Sequence, residues 1–157
     1  MAIRLEVNGK AHALDVEPRL TLLELLREQL DLTGAKPACE RGECGACTVL
    51  LDGKPINACL WLAVQVDGRS VTTVEGLSAK PEFKPLLDAF VASDAGQCGY
   101  CTPGFAVAAW AAIHDEPLPD DASIRWALVG HICRCNAYDG IVTAVRHAAR
   151  TMKRHGH

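Results

Sequence analysis

The sequence lacks the features that mark several large classes of protein. No apolar run in its 157 residues approaches the roughly 20 residues that a transmembrane helix needs, so we expect no membrane span. Lysine and arginine are scattered and the formal net charge is −3, so we expect no surface for nucleic acid. A strand pattern begins at Ile3 and leaves no room for an export signal, from which we expect a cytoplasmic protein.

Motifs for substrate chemistry are absent as well. The chain contains no Walker loop, no dinucleotide fingerprint and no recognisable pairing of a nucleophile with a base. We therefore expect that any substrate reaction takes place in a partner chain. The 49% share of hydrophobic residues nevertheless indicates a packed core rather than disorder.

Cysteine, in contrast, is abundant, and the chain has eight. Disulfide bonds are rare in the cytosol, and a disulfide framework would require an export signal that the chain does not show. Metal ligation is the better explanation of so many thiols in one small chain. The cysteines fall into two sets of four.

The first set has the spacing C-x4-C-x2-C-x11-C. Its members are Cys39, Cys44, Cys47 and Cys59. This spacing is typical of a plant-type [2Fe–2S] loop. The bridging sulfides of such a cluster are anionic, so the backbone must wrap closely and turn N–H groups towards sulfur. Gly42 and Gly45 suit this wrap because glycine reaches backbone conformations that other residues avoid.

The second set consists of two short pairs. Cys98 and Cys101 form C-x2-C before one predicted helix, and Cys133 and Cys135 form C-x-C before another. Helix N-termini favour thiolates and anionic clusters, so these four thiols could close around one site. A zinc ribbon stays an alternative, although its cysteine pairs usually enclose about two to four residues. A Rieske centre would need two histidines paired with cysteines, and His131 has no such companion.

The first part of the chain predicts two β-hairpins. Asn8-Gly9 and Asp52-Gly53 are strong two-residue turns, and each lies between short strand patterns. The expected strands are 2–7, 11–16, 48–51 and 54–57, with a further strand at 70–74.

A leucine-rich helix lies between the two hairpins. Thr21 and Glu24 form a capping-box pattern at its start, and Gly34 is the expected residue after its C-terminus. A small mixed sheet with a helix across one face is the β-grasp arrangement of plant-type ferredoxins.

Strand signals stop after this first part. A shift in composition places a linker at residues 76–84. It divides the chain into a ferredoxin-like domain, 1–76, and a helical domain, 77–157. The fold class is therefore expected to be α+β, with an N-terminal β-grasp ferredoxin-like domain followed by a C-terminal four-helix bundle.

Four helical patterns make up the second domain. Thr102 is the expected N-cap of the second helix, with Pro103 in its first turn. Trp110 and Trp126 lie on helical patterns and are expected in the core. The expected helices are 85–93, 103–114, 122–128 and 139–153.

Three motifs taken together resemble those of one known family. They are ERGECGACTV at 40–49 followed by Cys59, QCGYCTPG at 97–104, and GHICRC at 130–135. The pattern is similar to the small iron–sulfur subunit of the molybdenum hydroxylases, the xanthine dehydrogenase and aldehyde oxidase family. Bacterial members of this family include carbon monoxide dehydrogenase and isoquinoline oxidoreductase. The similarity covers essentially the whole chain.

The resemblance implies one [2Fe–2S] cluster in each domain. The outer cluster would be held by Cys39, Cys44, Cys47 and Cys59, and the inner cluster by Cys98, Cys101, Cys133 and Cys135. Gln97 and Cys135 would approach the molybdopterin of a separate large subunit, a cofactor expected in its cytosine dinucleotide form. Electrons would pass from that centre through both clusters to FAD on a medium subunit, or to an external acceptor such as a cytochrome.

Ala137 departs from the common family run, which has glycine there, so a left-handed backbone at this position would be strained. In the family that the sequence resembles, alanine at this position favours an aldehyde or N-heteroaromatic substrate over carbon monoxide. Two alternatives of other classes stay open, a free-standing two-cluster carrier and a zinc-stabilised interaction module. A stably bound large subunit would exclude the first, and a colourless protein that holds zinc would support the second.

Overall fold

Five strands form one mixed sheet in the computed structural model, which describes residues 1–117 and 119–154. They are β1 (Ala2–Val7), β2 (Lys10–Asp15), β3 (Thr48–Leu51), β4 (Lys54–Asn57) and β5 (Ser70–Thr72). The order across the sheet is β2-β1-β5-β3-β4. Strands β1 and β5 run parallel, and the other neighbours are antiparallel.

The helices follow mainly in the second part of the chain. They are α1 (Leu22–Glu24), α2 (Val74–Ser78), α3 (Lys84–Ala92), α4 (Thr102–Asp115), α5 (Asp121–Ala127) and α6 (Tyr138–Arg154). Short 3-10 helices lie at Ala58–Leu60, Ala63–Val66 and Pro81–Phe83. Helices α3 to α6 are the four that the sequence predicted, which confirms the α+β class. Within the described segments, no helix combines the length and apolar character needed to cross a bilayer.

Both predicted hairpin turns are present. Asn8 and Gly9 have φ angles of 52° and 77°, and Asp52 and Gly53 have φ angles of 48° and 81°. Two consecutive positive φ angles give the turn a twist that matches the right-handed twist of the strands it joins. The sheet therefore begins and ends in tight hairpins whose register is set by the turns.

The capping box of the first helix is confirmed. The Thr21 hydroxyl accepts the backbone N–H of Glu24 at 3.1 Å, and the Glu24 carboxylate accepts the backbone N–H of Thr21 at 2.8 Å. The helix widens into a π-helical stretch over Leu25–Gln29 and buries its leucines.

The predicted role of Gly34 as the C-terminal cap is wrong. The helical stretch ends at Gln29, and the left-handed residue after it is Asp31, with φ of 54°. Gly34 instead provides space, because a Cβ there would lie 2.3 Å from Cγ1 of Val74. Its N–H donates to the Glu75 carboxylate at 2.7 Å, which ties this loop to α2.

The predicted linker at 76–84 is regular and packed. Strand β5 ends at Thr72, so the predicted strand at 70–74 is too long and Val74 already belongs to α2. A Cβ on Gly76 would lie 2.1 Å from Oδ1 of Asn8, so α2 rests directly on the first hairpin turn. Asn8 and Thr73 also exchange two hydrogen bonds, at 3.0 and 2.9 Å. The passage between the two parts of the chain is therefore firmly held.

Strand β3 joins two hydrophobic cores. Val49 and Leu51 belong to the core of the sheet and α1. Leu50 belongs to the core formed by the helices, because successive side chains of a strand point to opposite faces. Helix α4 packs against β3 on the helical side. One strand thus serves as the common wall of both cores.

Of the two tryptophans predicted in the core, only one is there. Trp110 is buried and packs edge-on against Phe83, with ring centroids 5.4 Å apart. The prediction for Trp126 is wrong, since this residue is 79% exposed. Helix α5 buries Ile124, and a residue two positions later is rotated by about 200°, onto the opposite face.

The backbones of the two parts approach each other closely at the start of α4. A Cβ on Gly104 would lie 2.2 Å from the carbonyl oxygen of Gly45 and 3.2 Å from Cα of Ala46. Because the obstructing atoms are backbone, a side chain at position 104 would force the helix and the cysteine loop apart.

We expect Gly104→Ala to lower the free energy of unfolding by about 1 to 3 kcal/mol, as overpacking does in other proteins. Urea unfolding of the purified protein would measure the change. Ala112→Ser on the same helix is the control, because it adds one atom at a partly exposed position. Equal stability of Gly104→Ala and the unmodified protein would contradict the close contact.

Candidate metal centres

The structure brings the four cysteines of the first set into one group. The Cys39 thiol interacts with Cys44, and the Cys47 thiol interacts with both Cys44 and Cys59. All are free thiols. Three come from the loop after the first helical stretch, and Cys59 comes from the 3-10 helix after β4.

The loop turns its N–H groups towards sulfur. Glu40, Gly42 and Gly45 have φ angles of 53°, 80° and 68°, and these positive values fold the backbone back on itself. The Glu43 N–H lies 3.4 Å from Cys39 Sγ. Hydrogen bonding from the backbone of Arg41, with smaller contributions from Cys44 and Glu43, lowers the pKa of the Cys39 thiol to about 6. The loop is therefore built to stabilise negative charge on sulfur.

Burial has the opposite effect deeper in the loop. Cys47 is 3% exposed, and its burial raises the pKa of its thiol to about 12. Such a thiol stays neutral at physiological pH unless a cation binds it, because coordination to a metal removes the proton. The group thus contains one thiol that ionises easily and one that resists ionisation, which makes it unsuited to acid–base catalysis. It suits a metal group, because the positive charge of the metal stabilises all four thiolates.

The second set forms a group of the same kind. The Cys98 thiol interacts with Cys135, and the Cys101 thiol interacts with Cys133 and Cys98. The backbone N–H of Tyr100 lowers the pKa of Cys98, whereas burial raises the pKa of Cys101 to about 12. Each set thus combines a thiol that ionises readily with one that does not.

The two cysteine pairs of this second set lie just before helices α4 and α6, as predicted, but the N-cap of α4 differs from the prediction. Helix α4 begins at Thr102, so Cys101 rather than Thr102 is its N-cap, and the Thr102 hydroxyl is buried without a partner. The reason is that the Cys101 carbonyl already accepts a helical hydrogen bond, from the Phe105 N–H at 3.1 Å. Thr102 therefore lies inside the first turn, where its side chain cannot cap the helix.

The loop before α6 is held by a tyrosine. The Tyr138 hydroxyl accepts the Cys133 N–H at 2.9 Å, and the Ala137 N–H lies 3.4 Å from Cys133 Sγ. The strain expected at Ala137 does not arise, because Asn136 is the left-handed residue, with φ of 61°. Asparagine tolerates this conformation better than alanine does.

Gln97 and Cys135 lie next to each other. The Gln97 amide donates to the Cys135 carbonyl at 3.2 Å. Residues 96–100 are all exposed, so the second group opens to the surface beside Gln97. Cys47 and Cys133, in contrast, are buried within the protein.

Three contacts tie the two cysteine-bearing regions together. The Ile132 N–H donates to the Cys44 carbonyl at 3.0 Å, and the Tyr100 hydroxyl donates to the Pro37 carbonyl at 2.5 Å. The third contact joins Thr48 Oγ1 and His131 Nε2, which are 2.9 Å apart. Burial lowers the pKa of His131, so its ring is neutral at physiological pH. The two groups therefore belong to one connected structure.

Within the described residues, no three histidine, cysteine, aspartate or glutamate side chains are placed around a point suited to a single metal ion. A structural zinc ion takes four ligands around one centre, whereas a [2Fe–2S] cluster shares its four cysteines between two iron atoms.

Sequence reasoning missed the residues that hold the loops. Thr48, Tyr100 and Tyr138 all occur inside or directly after the motifs, but their spacing gives no sign of a hydrogen bond across the structure. The only signal in the sequence was their position close to predicted ligands.

Two family models match the chain. The model described as a 2Fe-2S iron-sulfur cluster binding domain matches residues 5–74, and the model described as a [2Fe-2S] binding domain matches residues 73–146. Together they cover nearly all of the described residues. Each match contains one complete set of four cysteines.

The chain is similar over most of its length to components of oxidoreductases. It is 45% identical to a probable xanthine dehydrogenase component of Bacillus subtilis, with 88% of this chain and 80% of that protein covered. It is 41% identical to the aldehyde oxidoreductase iron-sulfur-binding subunit of Escherichia coli, with 98% of this chain and 73% of that protein covered.

A solved structure shows the same fold. A chain of quinoline 2-oxidoreductase from Pseudomonas putida superposes with a TM-score of 0.92 at 42% identity, with 98% of this chain and 96% of that chain covered. The aldehyde oxidoreductase of Desulfovibrio desulfuricans gives a TM-score of 0.91 at 41% identity, but this chain spans only 17% of that longer one. The protein described here therefore belongs to the small [2Fe–2S] iron–sulfur subunits of the molybdenum hydroxylase family.

Proposed function

We propose that this chain carries electrons between a molybdopterin centre in a partner catalytic subunit and an acceptor, by way of two [2Fe–2S] clusters. The observation that carries the proposal is that two groups of four thiols lie in directly bonded loops. Each cluster, when bound, supplies a site that takes up and releases one electron at a time. Stable copurification with a large subunit would distinguish this function from that of a free-standing carrier.

The residues that would hold the outer cluster are Cys39, Cys44, Cys47 and Cys59. Those that would hold the inner cluster are Cys98, Cys101, Cys133 and Cys135. Around the outer site, the chain contributes N–H groups to the sulfur of Cys39 and excludes water from Cys47. Both effects favour a compact anionic group over free thiols.

We propose that the chain contacts the large subunit through residues 96–100. Gln97 is held against Cys135 there, and both would face the molybdopterin, in its cytosine dinucleotide form, of the large subunit. This pairing brings together the two residues that the family resemblance assigns to that cofactor.

The substrate is proposed to be an aldehyde or an N-heteroaromatic compound. The proposal is supported by the names of the enzymes to which similar chains belong: an aldehyde oxidoreductase, a nicotinate dehydrogenase whose small FeS subunit is 43% identical to this chain, and a quinoline 2-oxidoreductase. The acceptor would be FAD on a medium subunit, or a cytochrome. The protein is proposed to act in the cytoplasm, where reducing conditions keep cysteines available as metal ligands.

The division into a ferredoxin-like domain, 1–76, and a helical domain, 77–157, is retained as a proposal. The two family matches and the two hydrophobic cores support it. Strand β3 contributes to both cores, so we expect the two parts to unfold together.

We expect Cys135→Ser to remove one of two [2Fe–2S] signals from the complex with the large subunit. Electron paramagnetic resonance (EPR) of the dithionite-reduced complex, with iron and labile sulfide assayed on the same sample, would measure the loss. Turnover with an external acceptor should fall with it, because the inner site would be the first to receive electrons.

Cys44→Ser is the matched control and should remove the other signal. If both signals and normal turnover survived in Cys135→Ser, the ligand assignment would be wrong. Zinc without iron in the unmodified complex would remove the redox proposal and support a zinc-stabilised module.

Exposed apolar side chains near the second group suggest where the large subunit binds. Trp126, Val129 and Ile132 are 79%, 66% and 53% exposed, and they precede Cys133 closely in the chain. Apolar surface of this kind marks protein interfaces.

We expect Trp126→Asp to weaken copurification with the large subunit while both EPR signals of the chain persist, because it would bury a charge at the interface. Val91→Asp is the control, since Val91 is 80% exposed on α3, a helix without cysteines. Equal recovery of the large subunit with both variants would argue against this surface.

A further inference from the structure

The His131 ring occupies a position between three elements. Its Nε2 lies 2.9 Å from Thr48 Oγ1, at the first residue of β3. Its ring centroid is 5.3 Å from that of Phe105 on α4. A Cβ on Gly45 would lie 2.4 Å from Cδ2 of His131, so the absence of a side chain at Gly45 is what admits the ring.

The direction of the hydrogen bond follows from the partners of Thr48. Its hydroxyl has one proton and lies 2.7 Å from the Gly45 carbonyl, which can only accept. The hydroxyl therefore donates to Gly45 and accepts from the Nε2–H of His131. In this tautomer Nδ1 carries the lone pair, and it is buried without a partner. The ring is thus held by one directed bond and by packing.

This bond is one of three that join the two cysteine regions. Thr48 directly follows Cys47, and His131 lies two residues before Cys133. With the backbone bond from Ile132 to Cys44, it holds the loop before Cys133 against the first cysteine loop at two neighbouring points. The bond from Tyr100 to Pro37 holds the segment that carries Cys98 and Cys101, so the His131 bond is the side-chain contact that restricts rotation of the Cys133 loop.

We propose that His131, through its bond to Thr48, is a positioning residue that sets the relative orientation of the outer and inner clusters. This inference rests on the proposed function, since it requires both clusters. The effect of His131 is on the geometry between the two clusters, and so on the electron transfer between them.

The magnetic interaction between the two reduced clusters reports that geometry, because dipolar coupling depends on the distance and orientation of the two spins. We would measure it by low-temperature EPR of the reduced complex with the large subunit. His131→Phe keeps an aromatic ring against Phe105 but removes the donor. Both signals should persist at full iron content, while the interaction between them changes or is lost.

Further variants test the bond itself. Thr48→Ser keeps the hydroxyl and should preserve the magnetic interaction between the two clusters. Thr48→Val removes the hydroxyl and should alter this interaction as His131→Phe does. The double variant His131→Phe/Thr48→Val should alter it no more than either single variant, because both remove the same bond. Thr73→Val is the matched control, because Thr73 is a buried threonine bonded to Asn8, away from the cysteine loops.

Thermal stability separates positioning from simple structural support. Phenylalanine loses the hydrogen bond to Thr48 but also removes the buried Nδ1 that has no partner, so the two effects offset and we expect little change in the melting temperature of the complex. An unchanged interaction in His131→Phe, with both signals present, would overturn the proposal. Loss of one cluster signal in this variant would also overturn it, because His131 would then be needed to retain a cluster. A single signal in the unmodified complex would instead refute the two-cluster function.

Discussion

The close contact between α4 and the first cysteine loop fixes how the two halves of the molecule are arranged. Gly104 lies so close to the Gly45 carbonyl that no side chain fits between them. This approach places the start of α4, and with it Cys101, beside the loop that carries Cys44 and Cys47. Strand β3 continues directly from that loop and is buried between both cores. Packing on one strand therefore determines where both groups of thiols lie.

The electrostatics of the two groups follow from this packing. Deep burial of Cys47 and partial burial of Cys101 oppose ionisation of their thiols, while N–H groups near Cys39 and Cys98 favour it. Neither effect alone makes a stable site. A buried group that combines four cysteines with inward-facing N–H groups is stabilised when metal ions provide the missing positive charge. The cysteine loops are thus suited to iron–sulfur clusters, and the surrounding cores keep water away.

Local signals in the sequence predicted local structure well. The Asn-Gly and Asp-Gly turns and the capping box of Thr21 and Glu24 depend on neighbouring residues only, and all three are present. Errors arose where distant residues decide the outcome. Gly34 is a glycine because of α2 rather than the first helix, and Trp126 is exposed because α5 buries its other face. Residues 76–84 form packed structure because Gly76 lies against the first hairpin turn and Leu77 and Phe83 are buried in the core of the helices, which composition cannot reveal.

The fold class and the division of the eight cysteines into two sets of four can be read from the sequence, because strand and helix periods and ligand spacings are local properties of the chain. How the two cysteine regions meet depends on contacts between distant residues. The bonds from Ile132 to Cys44, from Tyr100 to Pro37 and between His131 and Thr48 each join residues more than sixty positions apart. Such contacts form only after both cores have packed, since β3 and α4 must first bring the loops together.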